Sequence, residues 1–163
     1  MKKWIQRGVF ALTTLIFTSI SPLLPANATS SYELFGEEIV YLAKKQLGLP
    51  YVWGGETPQR GFDCSGLVKY TFNEFNVALP HRADLQFKYG ESVNRHELQA
   101  GDVVFFRSAR GGYMGIGHVG IYVGNDNFIH APSRGKPIQI AQLSGVWYTS
   151  HYVGAKRIRP DFF

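Results

Sequence analysis

The sequence predicts a single α+β domain in which N-terminal helices pack on an antiparallel β-sheet. Apolar residues recur at helical spacing in two segments between residues 31 and 75. Short apolar or alternating runs, typical of strands, fill the chain from residue 103 to residue 158. Helices that precede the strands, and do not alternate with them, indicate an α+β arrangement. The length of 163 residues suits one domain.

Residues 1–28 precede this domain and have the pattern of a secretory signal peptide. Three bases within the first seven residues are followed by an apolar run at 8–20 and by the small-x-small site Ala26-Asn27-Ala28. The apolar run is too short to cross about 30 Å of hydrocarbon. We therefore expect cleavage after Ala28, a secreted protein with no membrane anchor, and a mature domain at 29–163.

The charge of the mature domain is smaller than the charge of the whole chain. The formal net charge is +5, and removal of residues 1–28 with their three bases and no acids leaves +2. Arg107 and Arg110 stand beside two glycines, as in some RNA-binding loops, but no aromatic ladder accompanies them. We expect a solvated loop there and no nucleic-acid partner, since a mild basic excess does not argue for one.

The first helix is expected at 31–46. Ser30 and Glu33 stand in capping-box spacing, and an apolar face follows at helical intervals. Gly36 weakens the pattern in the first turns, so the start is less well defined than the end. A Gly-Leu-Pro segment stops the helix.

The second helix is expected from Cys64 to about Phe75, after a loop rich in glycine. Leu67 and Phe72 belong to an apolar set at helical spacing. Asp63 is a favourable N-cap residue. Cys64 is therefore expected in the first helical turn.

Five strands are expected in the second half of the chain. Apolar or alternating runs are separated there by turns that contain glycine, asparagine or aspartate. The strands are expected at 103–106, 118–123, 128–131, 138–140 and 152–158.

The single cysteine is the most informative residue in the composition. An exported protein of this size normally pairs its cysteines, but Cys64 has no partner in the chain. A lone cysteine is either an inert buried residue or a reactive one, and a helix N-terminus favours the reactive thiolate. We expect helix N–H groups and a nearby imidazolium to lower the pKa of Cys64, and the same N–H groups to hold an oxyanion.

Two histidines on neighbouring strands supply a candidate base and its orienting partner. His118 opens one expected strand, and His130 lies on the next. Their side chains share a face if the hairpin has a three-residue connection that sets Val123 opposite Asn127. His130 then stands opposite Gly120, diagonal to His118 and within reach of it. A nucleophile, a base and an orienting group follow the logic of a catalytic triad.

Six stretches resemble, in the same order, motifs of the NlpC/P60 family of papain-like cysteine peptidases. They are 51–55 (Tyr-Val-Trp-Gly-Gly), 62–68 (Phe-Asp-Cys-Ser-Gly-Leu-Val), 79–86, 101–105, 117–123 and 128–131. The resemblance implies a papain-like fold and a peptidase that cuts peptidoglycan or muropeptides, typically after γ-linked D-glutamate. Together with the expected signal peptide, it predicts a secreted enzyme associated with the cell wall. It also implies that Cys64 is the nucleophile, His118 the base and His130 the orienting residue.

The resemblance extends to residues that would bind the substrate. Tyr51 resembles a tyrosine whose hydroxyl helps to hold the oxyanion. Trp53, Asp63 and Ser65 match positions that contact the substrate peptide, and the aspartate is suited to an amino group. The family often has serine where this chain has Ala83, which leaves the preference at that edge of the site open. A monomer is expected.

Three aromatic residues lie outside these motifs or at their edges. Trp147 and Tyr148 could line a groove, although the core is the commoner place for such residues. Tyr113, in the glycine-rich loop before His118, is the better candidate for substrate contact.

Other classes of protein fit the sequence less well. No His-Glu-x-x-His and no close Cys/His cluster is present, so neither a metal nor another cofactor is expected. No Gly-x-Ser-x-Gly motif points to a serine hydrolase. An inactive wall-binding or inhibitor protein would have no need of both Cys64 and His118. An amidase or an acyltransferase could use the same pair and stays open.

Overall fold

The computed structural model describes residues 27–109 and 111–160, with side chains described from Ser31 onward. The expected signal peptide lies outside the described residues except for its last two positions. The helices are α1 (Asn27–Lys44), α2 (Cys64–Asn73), α3 (Ala83–Gln86) and α4 (Val146–His151). The strands are β1 (Glu56–Thr57), β2 (Gly61–Phe62), β3 (Glu91–Val93), β4 (Val103–Arg107), β5 (Ile116–Gly124), β6 (Asn127–His130), β7 (Gln139–Gln142) and β8 (Tyr152–Arg157).

Helix α1 begins at Asn27, four residues before the expected start, and ends two residues early at Lys44. Gly36, which weakened the sequence pattern, lies where the helix packs against the backbone of Ala100 and Gly101. A Cβ at residue 36 would collide with the carbonyl of Ala100. The glycine is therefore required by packing, and the helix continues through it at a modest cost in propensity. Among the described helices, none is long and apolar enough to cross a bilayer.

Helix α2 begins at Cys64 with Asp63 as its N-cap, as predicted. It ends at Asn73, two residues before the expected end, and a turn carries the chain to Asn76, which has a positive φ of 61°. The buried side of the helix includes Leu67 and Phe72, which join the main hydrophobic core. This packing fixes the N-terminus of α2 against the sheet.

The main sheet has six antiparallel strands in the order β3-β8-β4-β5-β6-β7. The five predicted strands are all present, each within a few residues of its expected bounds. Helices α1 and α2 cover one face and form the larger core with it. On the other face, Phe106 and Phe128 pack with Tyr148 of α4 in a smaller core. The predicted α+β class is confirmed.

The β5–β6 hairpin places His118 and His130 on one face, as predicted, but its connection differs from the prediction. Its connection has two residues, Asn125 and Asp126, both with positive φ, and not three. Such turns match the twist of the flanking strands. Gly124 pairs with Asn127, and a bulge at Val123 then shifts the register by one residue. The predicted Val123–Asn127 pairing is wrong, but the bulge restores the face on which His118 and His130 both lie.

Candidate active site

The seven residues to which the family resemblance assigns catalytic or substrate-binding roles line a single cleft of about 1170 Å³. They are Tyr51, Trp53, Asp63, Cys64, Ser65, His118 and His130. Helix α2, strands β5 and β6 and the loop that precedes β1 bring them together. Trp53 is 60% exposed at the surface, whereas both histidines are buried. Their roles in catalysis and substrate binding stay predictions.

Cys64 lies half-buried at the first position of α2. The backbone of Val119, which directly follows His118, forms a hydrogen bond to the Cys64 sulfur. The backbone groups of Ser65 and of Cys64 itself do the same. The thiol therefore lies where the N-terminus of α2 meets strand β5, at the residue that follows the candidate base in the chain.

The expected lowering of the Cys64 pKa is wrong. Burial raises the pKa of the thiol to about 12, and the neighbouring carboxylate of Asp63 acts in the same direction. The backbone hydrogen bonds from Val119, Ser65 and Cys64 lower the pKa without cancelling these effects. Loss of hydration of the thiolate outweighs the benefit of the helix N-terminus. The resting cysteine is a neutral thiol.

His118 and His130 project from the same face of the sheet, as predicted. His118 Nε2 lies 2.8 Å from His130 Nδ1. Burial lowers the pKa of His118 to about 4, and burial with the charges of His118 and Lys136 lowers the pKa of His130 to about 3. Both rings are neutral at pH 7. With His130 Nδ1 as the acceptor, His118 carries its proton on Nε2 and keeps Nδ1 free to act as a base.

Tyr148 extends this hydrogen-bonded chain. Its hydroxyl lies 3.2 Å from His130 Nε2, the nitrogen that carries the proton in the arrangement above. The Tyr148 ring packs against Phe106 and Phe128, so the hydroxyl is held in place. The structure therefore places Tyr148 both in the smaller core and on the lining of the cleft. Trp147 also lines the cleft, whereas Tyr113 does not.

The carboxylate of Asp63 is hydrogen-bonded to several groups of the protein itself. Its Oδ1 accepts hydrogen bonds from the Gly66 amide at 2.7 Å and from the Ser65 hydroxyl at 3.0 Å, and its Oδ2 accepts from the Gly54 amide at 2.9 Å. His81 Nε2 lies 2.9 Å from the same Oδ1. Asp63 thus caps α2 and holds the loop that carries Trp53. A substrate amino group would have to compete with His81 for this carboxylate.

His81 lies between two carboxylates. Its Nδ1 is 3.0 Å from Glu56 Oε2, and its Nε2 contacts Asp63. Both nitrogens face carboxylate oxygens, so the ring joins Glu56 of β1 to the N-cap of α2. Gly66 makes room for this contact, because a Cβ there would lie 2.9 Å from His81 Nε2. The cluster could not be predicted from residue spacing, since Glu56, Asp63 and His81 lie in three different segments of the chain.

Gln86 and Asp102 are polar residues within the motifs at 79–86 and 101–105, and their hydrogen bonds explain their positions without a catalytic role. Gln86 Nε2 donates to the Ser65 carbonyl at 2.9 Å and to the Pro80 carbonyl at 2.8 Å, which braces the first turn of α2. Asp102 accepts from the Tyr32 hydroxyl and from the Arg157 guanidinium. Within the described residues, no group of three or more His, Cys, Asp or Glu side chains is placed to hold a metal ion.

Comparison of the sequence with known proteins identifies a family that matches this chain. A model described as the NlpC/P60 family matches residues 48–157. The chain is 44% identical over 117 residues to the murein DD-endopeptidase MepH of Escherichia coli, covering 70% of this chain and 42% of that protein. It is 42% identical over 120 residues to a γ-DL-glutamyl hydrolase of Bacillus subtilis, covering 73% of this chain and 28% of that protein. The chain thus spans less than half the length of these two relatives.

Solved structures agree on the fold. An NlpC/P60 family protein from Bacillus cereus superposes with a TM-score of 0.71 at 33% identity, covering 77% of this chain and 40% of that one. The NlpC/P60 domain of the peptidoglycan hydrolase SagA superposes with a TM-score of 0.65 at 31% identity. That comparison covers 74% of this chain and 97% of the domain.

Proposed function

The chain belongs to the NlpC/P60 family, and on that premise we propose that it is a cysteine peptidase that hydrolyses peptide bonds in bacterial peptidoglycan. The observation that carries the proposal is the placement of Cys64 at the N-terminus of α2, in the same cleft as the His118–His130 pair. The names of the relatives support the substrate class, since they include a murein endopeptidase and a glutamyl hydrolase.

In the proposed reaction the thiol is activated as it attacks. His118 Nδ1 accepts the proton of Cys64 while the sulfur bonds to the substrate carbonyl carbon, since neither group is charged beforehand. The backbone N–H groups of Cys64 and Ser65 lie beside the sulfur, where they can stabilise the oxyanion, and we assign the Tyr51 hydroxyl to the same task. His118 then returns the proton to the leaving amine, and a thioester remains on Cys64.

Hydrolysis of the thioester completes the cycle. Neutral His118 accepts a proton from a water molecule as that water attacks the thioester carbonyl. The tetrahedral intermediate expels the sulfur, which regains its proton from His118. His130 keeps the His118 ring oriented through both halves of the reaction, and it stabilises the transient imidazolium by accepting its Nε2–H.

We propose the bond after γ-linked D-glutamate as the scissile bond. Relatives named for γ-glutamyl bonds include the hydrolase of B. subtilis and a γ-D-glutamyl-L-lysine dipeptidyl-peptidase of B. cereus, which is 34% identical over 124 residues. The relative from E. coli is named for a DD bond at a similar identity. Both kinds of peptide therefore belong in the test.

We also propose that residues 1–28 direct export and are removed, which would bring the enzyme to the cell wall. The pattern of bases, apolar residues and small residues at 26–28 supports this. Mass spectrometry of the protein recovered from the culture medium or wall fraction would then find an N-terminus at Thr29.

Digestion of purified peptidoglycan tests the enzymatic proposal. We expect the protein to release fragments whose masses correspond to cleavage after γ-D-glutamate, and to cut a synthetic stem peptide at the same bond. The matched control is Cys64→Ala, which should release nothing. Fragments produced by cleavage at a D-Ala bond would show that the proposed scissile bond is wrong. Equal release of fragments by the Cys64→Ala variant would refute the cysteine mechanism.

A further inference from the structure

The hydrogen bonds that join His118, His130 and Tyr148 are compatible with two placements of their hydrogens. His130 Nδ1 lies 2.8 Å from His118 Nε2, and His130 Nε2 lies 3.2 Å from the Tyr148 hydroxyl. A neutral imidazole has one N–H donor and one acceptor nitrogen, and both rings are neutral, as described above. The role of one His130 nitrogen therefore fixes the role of the other, and the whole chain donates in one direction or in the opposite one.

Only one of these placements leaves His118 able to act as a base. When His118 Nε2 donates to His130, and His130 Nε2 donates to the Tyr148 oxygen, His118 Nδ1 keeps its lone pair. When the Tyr148 hydroxyl donates to His130, His130 Nδ1 donates to His118 Nε2, and the His118 hydrogen lies on Nδ1. That nitrogen then cannot accept the proton of Cys64. Both placements hold the same number of protons, because a proton released from His118 Nδ1 to solvent is matched by one taken up at the tyrosine end.

The hydroxyl hydrogen of Tyr148 distinguishes the two placements. This hydroxyl has His130 as its only hydrogen-bond partner among the described residues. In the placement that leaves His118 as a base, the Tyr148 oxygen accepts from His130, and its own hydrogen stays available. Tyr148 is half-buried and lines the cleft that holds Cys64. Donation from this hydroxyl to an acceptor in the cleft is therefore possible only when His118 is competent.

The position of the hydroxyl is fixed relative to the two histidines. The centroid of the Tyr148 ring lies 4.8 Å from that of Phe128 and 5.4 Å from that of Phe106, in edge-to-face contacts. The segment that leads into α4 is tied to the β5–β6 turn, since the Leu143 amide donates to the Asp126 carbonyl at 2.7 Å. The ring is therefore held against the strands that carry His118 and His130, whereas the hydroxyl hydrogen can still rotate.

We propose that Tyr148 is a positioning residue that couples occupation of the cleft to the tautomer of the histidine pair. A carbonyl oxygen of the bound peptide accepts the tyrosine hydrogen, and His118 is thereby held with Nδ1 free. This inference rests on the proposed function and adds to it a way in which the substrate readies the base. A ligand shifts such an equilibrium by its preference for one state, and one neutral hydrogen bond corresponds to a shift of about two- to tenfold.

Nitrogen-15 NMR of the histidine rings tests the coupling. The Cys64→Ala protein, labelled with ¹⁵N in its histidines, can bind the synthetic stem peptide without cleaving it, and the shifts of Nδ1 and Nε2 report the tautomer of each ring. We expect the ratio of Nε2–H to Nδ1–H at His118 to rise about fivefold when the peptide saturates the protein. In the Cys64→Ala/Tyr148→Phe protein the ratio should not change on binding.

Tyr152→Phe is the matched control. The Tyr152 ring also packs against Phe106, with the centroids 6.1 Å apart, but its buried hydroxyl has no hydrogen-bond partner among the residues that the structure describes. We expect the Cys64→Ala/Tyr152→Phe protein to show the same rise in the His118 ratio as the Cys64→Ala protein. Loss of the response in both tyrosine variants would point to packing and would overturn the inference.

The same measurements separate this inference from the proposed function. A rise in the ratio that requires Tyr148, without cleavage of the peptide by the wild type, would overturn the proposed function and leave the coupling standing. Cleavage by the wild type, with a ratio that is equal in the free and bound Cys64→Ala protein or that still rises after Tyr148→Phe, would overturn the coupling alone. A peptide that neither binds nor is cleaved would overturn both.

Discussion

His118, His130 and Tyr148 form a chain of hydrogen bonds, and we propose that each of the last two acts through the residue before it. We expect His118→Ala to reduce kcat/KM by about a thousandfold or more, because the proposed acceptor of the thiol proton is lost. His130→Asn should cost about tenfold, since an amide oxygen can still accept from His118 Nε2, and Tyr148→Phe should cost less. Steady-state kinetics on one stem peptide would rank the three. Equal losses from all three changes would contradict the order.

The protonation state of Cys64 can be measured by alkylation. Because burial and Asp63 raise the pKa of the thiol to about 12, we expect the rate of iodoacetamide labelling to keep rising well above pH 9. The comparison is a small free thiol, whose labelling levels off near its pKa of about 8.5. A midpoint below 8.5 in the protein would mean that a thiolate–imidazolium pair is the resting state and that the helix N-terminus prevails over burial.

At the scale of the single element, the start of α2 depends on Asp63. Replacement by alanine leaves the amides of Gly54 and Gly66 and the hydroxyl of Ser65 without their acceptor. We expect Asp63→Ala to lower the free energy of unfolding by about 3 kcal/mol, which combines a lost cap with unsatisfied buried donors. Urea denaturation would measure the loss. Glu74→Gln, exposed at the other end of the same helix, should change stability by less than about 0.5 kcal/mol.

The elements that the sequence predicted are those with a strong periodic pattern or a clear cap. Helix α2 and strands β4, β5 and β6 carry long buried runs, and their bounds were found within a few residues. Strand β3 escaped prediction because it has three residues at the edge of the sheet and none of them is buried. Its pairing with β8 is a long-range contact that local pattern cannot reveal.

Helix α4 shows why part of the site also escaped prediction. It has six residues, none of them buried, and no side-chain cap at its N-terminus. Local sequence therefore gave no helical signal, and the contact of Tyr148 with His130 could not be anticipated. The contact between His118 and His130 could be predicted from sequence, because the alternation of side chains along a strand fixes the face on which each residue lies.

The whole molecule should become less stable in weak acid because of its two buried histidines. Their folded-state pKa values are about 4 and about 3, below the ordinary value of 6.5. Between pH 6.5 and these values the unfolded chain binds protons that the folded protein does not, so stability is lost as the pH falls. We expect a loss on the order of 2 kcal/mol for each histidine by pH 5.

Urea denaturation at pH 7.5 and pH 5 would measure this loss. His130→Asn removes one of the two titrating groups, so the difference between the two pH values should shrink by about half. A free energy of unfolding that does not change between pH 7.5 and pH 5 would show that the histidines are charged in the folded protein.

Asp102 joins the two ends of the described chain through the core of the molecule. It accepts from Tyr32 of α1 at 2.8 Å and from Arg157 of β8 at 2.9 Å, and it is fully buried. We expect Asp102→Ala to destabilise the protein by about 3–5 kcal/mol, because the Arg157 charge loses its buried partner. Glu91→Ala breaks a more exposed pair with Arg159, and thermal unfolding should find a change of less than about 1 kcal/mol.

The bulge at Val123 has a consequence for how this hairpin can change over generations. The loss or gain of one codon between His118 and His130 would turn one ring to the opposite side of the sheet, although neither histidine codon had been touched. Such an event would disable the proposed catalytic pair as fully as the loss of a histidine, whereas a change of two codons at the tip would be harmless. We expect related hairpins that keep both histidines to differ in length by an even number of residues. Where the difference is odd, we expect a bulge to have been gained or lost.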